Sequence, residues 1–136
     1  MTLNQRFGYV FGAVYMVVGV VGFAVTSGVG FTANPGKNLI LFGLNPLHNI
    51  VHILVGALFV LGAAGGAKAS SALNVLIGAV YLIIGILGFF ILHNSLNIIA
   101  INMPDNFLHL ATAVLALGIG LRKEPGTSRS SASAAA

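Results

Sequence analysis

His48, His52, Asp105 and His109 are the residues whose types and spacing can do chemistry in this chain. Three imidazoles and a carboxylate suit zinc or another divalent ion, and the four-residue step from His48 to His52 lets one helix face offer both rings. His52 and His109 alone suit a haem held through its axial positions from two helices. Set in apolar segments, the same groups also suit a quinone or proton site. Against these stands a structural use, because asparagine and histidine side chains tie neighbouring helices together in lipid for about 0.6–2 kcal/mol each.

These groups come in a duplicated frame. Leu44 to Gly56, LNPLHNIVHILVG, returns 57 residues later as Ile101 to Ala113, INMPDNFLHLATA. Asn45 then falls on Asn102, His48 on Asp105, Asn49 on Asn106 and His52 on His109. Asn45 before Pro46 reads as a helix N-cap, as does Asn102, with Asp105 three residues on where its charge suits the helix dipole. Asn49 and His52 share a face, as do Asn106 and His109, with each histidine about 10 Å beyond its cap at 1.5 Å per residue. One duplication accounts for both copies, so they count as one observation. His93 has no counterpart and reads as an interfacial residue.

The elements that carry these residues are membrane helices. Of the 136 residues, 57% are hydrophobic and 6% charged, against roughly 25% charged in soluble domains. Mean hydropathy is +1.01. Uncharged apolar runs of about 20 residues, enough to cross a bilayer, recur along the chain. The formal charge of +4 comes from basic residues scattered at segment ends, which excludes a nucleic-acid footprint. Cysteine is absent, which removes disulfides, thiolate metal sites and the four-helix oxidoreductases that work through paired cysteines.

A second repeat organises the helices. Gly12 to Phe23, GAVYMVVGVVGF, returns 66 residues later as GAVYLIIGILGF, Gly78 to Phe89. The first copy follows Arg6 and has the form of a signal peptide, but its internal copy argues for a retained helix. Gly8, Gly12, Tyr15, Gly19 and Gly22 fall in one stripe at about 100° per residue, and the counterpart reads Asn74, Gly78, Tyr81, Gly85 and Gly88. Such stripes let helices approach closely in lipid, where packing replaces the hydrophobic drive.

The expected architecture is all-α: an integral membrane four-helix bundle of two tandem, parallel helical hairpins over residues 1–121. The helices are predicted at about 7–25, 46–64, 73–92 and 104–121. Ala67 to Ser71 is predicted as a short turn, and residues 122–136 as a disordered cytoplasmic tail. Asn34-Pro35-Gly36 marks a turn in the first long connection; its end, NLILFGLN, like NIIAIN before the fourth helix, either lies in the interface or tucks back. Arg6, Lys68, Arg122, Lys123 and Arg129 fall on one side and Lys37 alone on the other, so both termini face the cytoplasm of a plasma membrane.

LFGLNPLHNIVHILVGALFVLGA together with DNFLHLATAVLALGIG resembles the small membrane proteins grouped as domain of unknown function 4383. The resemblance runs from about Arg6 to Leu121 and is carried by N-P-x-H-N-x-x-H at Asn45 to His52 and D-N-x-L-H at Asp105 to His109. It implies a four-helix membrane protein and carries no activity with it.

The expected role is non-enzymatic: a structural or accessory membrane protein in a homo-oligomer or larger complex, using its glycine stripes for packing and needing no cofactor. The alternative is a metal- or haem-binding redox or sensing protein built on His52 and His109. A small transporter ranks below both, because no Asp or Glu lies near a bilayer centre. An enzyme ranks last, since no nucleophile with its base can be picked out.

Overall fold

In the computed structural model, the structure describes residues 1–122. The tail expected to be disordered falls, from Lys123 on, outside the described residues. Among the described residues the chain forms α1 (Leu3–Val25), β1 (Lys37–Leu39), β2 (Phe42–Leu44), α2 (Pro46–Ala64), α3 (Ala67–Ile91) and α4 (Met103–Gly120). By length and composition α1, α2 and α3 can each cross a membrane. The shorter α4 carries Asp105, Asn106 and His109 in its first two turns and is not among those three.

Local chemistry sets the helix ends. α1 begins four residues before the expected start because Thr2 and Gln5 form a capping box, each side chain bonding the other's backbone N–H. Asn45 caps α2 by accepting from His48 N at 2.9 Å, and Pro46 follows at the first turn. α3 begins at Ala67, so the turn expected over Ala67 to Ser71 is helical instead. Gly66, at φ 98°, reverses the chain next to Gly65, which frees the helix-compatible Ala67 to Ser71 to join α3. Ser70 Oγ secures this end on Gly66 O at 2.8 Å.

The glycine stripes face neighbouring helices of the same chain. Gly8, Gly12, Gly19 and Gly22 of α1 lie against α2, while Gly78, Gly85 and Gly88 of α3 lie against α4. Tyr15 and Tyr81 fall on the same faces and meet at the centre, ring centroids 5.6 Å apart. With Phe7, Phe59, Ile77, Ala113 and Ala116 they form the core. Aliphatic and aromatic side chains such as Val10, Val17, Leu61, Ile83 and Phe90 cover the outside, while Asn4, Asn49, Asn74 and Asn106 are buried. Apolar outside and polar inside is the pattern a bilayer demands.

The two connections meet at one end of the bundle. The first folds NLILFGLN into an antiparallel hairpin that pairs Lys37 with Leu44, Asn38 with Gly43 and Leu39 with Phe42. Ile40, at φ 60°, and Leu41 stand exposed at its tip. The second winds around Asn97, whose amide donates to Ile101 O at 2.8 Å and Leu92 O at 3.2 Å and accepts from Ile101 N at 2.8 Å. The sequence alone left both segments open, because neither has helical or strand periodicity long enough to decide.

Candidate functional site

The duplicated polar residues converge beneath the hairpin. One ring nitrogen from each of His48, His52 and His109 lies within 4.8 Å of the other two. The rings of His48 and His52 are 4.4 Å apart by centroid, and His48 faces His109 across the bundle at 6.1 Å. All three side chains are buried, 1%, 5% and 3% exposed. The faces of α2 and α4 that bear the histidines therefore meet through side chains, the condition on which every ligand hypothesis depends.

The aromatic setting is matched on both sides. Tyr15 stands edge-on to His52 at 5.3 Å, and Tyr81 edge-on to His109 at 5.0 Å. Tyr15 Oη and Thr112 Oγ1 are hydrogen-bonded at 3.0 Å, joining α1 to α4. Tyr15→Phe should therefore cost about 0.6–1.7 kcal/mol, the range for a hydrogen bond between membrane helices. A lower detergent melting temperature checks this, and an unchanged one would show the bond to be idle.

Asp105 stands apart from the three imidazoles, which corrects its place in the expected donor set. Its Oδ2 accepts from Asn102 N and Gly43 N, each at 2.9 Å, completing the capping box of α4 with Asn102. Gly43 carries the link onward: its carbonyl accepts from His48 Nδ1 at 2.9 Å. A carbonyl only accepts, so Nδ1 of His48 holds the proton. The β2 peptide thus separates the two groups that the repeat aligns.

The asparagines divide their work. Asn45 Nδ2 binds Ala33 O at 3.1 Å and Ile98 O at 2.8 Å, and Asn102 Nδ2 binds Leu41 O at 2.8 Å, so both caps also fasten the connections. Asn49 Nδ2 donates to Thr26 Oγ1 at 2.9 Å. Among the described residues, the buried side-chain atoms without a hydrogen-bond partner are Asn49 Oδ1, both polar atoms of the Asn106 amide, and Nδ1 of His52 and of His109. All five belong to the duplicated pair of asparagine and histidine. Buried polar atoms left unpaired cost about 1–3 kcal/mol each, so their concentration here calls for an explanation.

The space that opens beside the histidines is small. The apolar crevice reaching His52 between α1 and α4 holds about 130 Å³, below the roughly 300–1,000 Å³ of small-molecule pockets. His93 lies exposed beyond the end of α3, in the wall of an outer cleft, away from the other histidines. Thr26, Thr112, Gly43 and Asn97 are the contributors that spacing did not reveal. They lie outside the repeated motifs or carry no titratable group, so only contact exposes them.

No curated protein and no solved structure matches the chain. The family described as Domain of unknown function (DUF4383) matches it over residues 5–122. That match covers most of the chain, the polar segments at 44–56 and 101–113 included, and the chain belongs to this family.

Proposed function

We infer that this is a small multi-pass protein of the plasma membrane, built as two tandem hairpins with four crossings and both termini cytoplasmic. Its role is non-enzymatic, as an accessory or structural subunit of a membrane assembly or homo-oligomer. The apolar exterior around a polar interior is the observation that carries this reading. Matched contacts support the tandem repeat: Gly22 packs on Asn49 as Gly88 packs on Asn106, and Tyr15 meets His52 as Tyr81 meets His109. The basic residues Arg6, Lys68 and Arg122 against Lys37 support the orientation. A non-enzymatic role is supported by hydroxyls spent on helix joints, such as Thr26 Oγ1 accepting from Asn49 Nδ2 at 2.9 Å and Ser71 Oγ donating to Gly120 O at 2.7 Å.

Because the chain has no cysteine, single-cysteine labelling tests the topology directly. Ser95→Cys should react with an impermeant maleimide from outside intact cells, and Ala64→Cys only after permeabilisation. The reverse pattern would invert the orientation. Co-purification of a partner in mild detergent is expected, and a clean monomer would count against the accessory role. A second reading, a metal-holding membrane protein, is favoured by the three imidazoles gathered within 4.8 Å.

A further inference from the structure

We propose that His48, His52 and His109 bind one first-row divalent ion of the zinc class through three imidazole nitrogens, with a fourth position left exchangeable. The proposal rests on the metal-holding reading above and names its ligands and ion class.

Distance is the first support. A tetrahedral ion bound to imidazoles at 2.0–2.1 Å sets ligand nitrogens about 3.3–3.4 Å apart. The three nitrogens already lie within 4.8 Å of one another, about 1.5 Å from that spacing at the widest. Their source also matters: two come from successive turns of α2 and one from α4. An ion would therefore clasp the two hairpins together.

Protonation is the second. Metal-bound histidine typically donates its remaining N–H to a carbonyl or carboxylate, which fixes the tautomer and turns the other lone pair to the ion. His48 already does so through Gly43 O at 2.9 Å. His52 and His109 each keep a buried, unpartnered Nδ1. An ion accepts lone pairs from all three rings, whereas rings packed for shape alone leave these nitrogens uncompensated.

Charge is the third. A dication among neutral imidazoles in an apolar bundle needs an anion nearby. The Asp105 carboxylate holds the N–H of the same Gly43 whose carbonyl His48 engages, at 2.9 Å each. It thus brings a negative charge within two hydrogen bonds of a ligand ring without entering the donor set. Nitrogen donors without a carboxylate suit zinc, copper, nickel or cobalt and disfavour magnesium and calcium, which need oxygen cages.

The test uses the full chain in detergent, stripped with chelator and titrated with Zn²⁺ and with Co²⁺ as an optical probe. One ion per chain is expected, with the intense visible bands of tetrahedral Co²⁺. X-ray absorption on the zinc form should show three imidazole nitrogens at about 2.0–2.1 Å. His52→Ala and His109→Ala should weaken binding about 100-fold or more, beyond the 10–100-fold of an outer-shell change, while His93→Ala leaves it unchanged. If an alanine variant does not fold, the absorption spectrum of the unaltered chain decides instead. A folded chain that takes up no ion overturns both the proposal and the metal-holding reading. An ion held by oxygen donors, or lost in His93→Ala, overturns the three-histidine site and leaves the broader reading standing.

Discussion

Gly56→Ala is expected to destabilise the bundle by about 3 kcal/mol, the upper end for overpacking a tight contact, and Gly56→Leu to prevent the first hairpin from closing. A Cβ at Gly56 would sit 2.7 Å from Gly12 O, 2.9 Å from Met16 N and 2.6 Å from Met16 Cγ. Two of these are backbone atoms of α1 and cannot yield without moving the helix. In lipid no hydrophobic gain offsets the separation, because a displaced side chain finds tails as apolar as itself. Gly118 is the internal control: nothing lies within 4 Å of its Cβ position. Gly118→Ala should be neutral or add up to about 1 kcal/mol through helix propensity. Detergent melts of the two alanine variants make the comparison, and equal melting temperatures would contradict the tight α1–α2 crossing.

Replacing Asp105 with alanine should cost about 2–4 kcal/mol, about 1–3 kcal/mol for the buried Gly43 N–H left unpaired and about 1 kcal/mol for the part-buried cap at Asn102 N. Asn102 N belongs to the cap of α4, and Gly43 N to the hairpin that covers the histidines. The effect should spread beyond α4. Gly43 O orients His48, so amides of residues 37–44 should exchange faster with solvent in the variant. Asp105→Asn keeps an oxygen able to accept both bonds and should lose less than about 1 kcal/mol. If the two variants melt alike, the charge rather than the shared hydrogen bonds holds this end together. If hairpin exchange is unchanged by Asp105→Ala, the latch through Gly43 is not a latch.

Much of this was legible before any contact was known, wherever the physics is local. Hydropathy marked the apolar segments because crossing a bilayer is a demand on length and composition. Asn45 before Pro46, and Asn102 with Asp105, marked the starts of α2 and α4 because a cap acts on a backbone N–H three residues away. The glycine stripes marked close-packed faces, since periodicity places residues around their own helix. Local rules failed where a boundary had two competing signals. Ala67 to Ser71 looked like a turn of small residues, yet Gly65-Gly66 already made the reversal.

What only the tertiary structure decided is which faces meet. Periodicity fixes an angle about one helix axis and says nothing of that helix's rotation relative to another. So the repeat could align His48 with Asp105 without showing that Gly43 comes between them, its carbonyl on the imidazole and its N–H on the carboxylate. The longer first connection builds the hairpin that inserts this peptide, and the second copy has no equivalent strand. That insertion removes Asp105 from the donor set and leaves His48, His52 and His109 as the cluster. The glycine stripes likewise showed that α1 and α3 pack closely against something. That the something was α2 and α4 followed from the fit of Asn49 beneath Gly22 and Asn106 beneath Gly88, contacts between residues 27 and 18 positions apart in the chain.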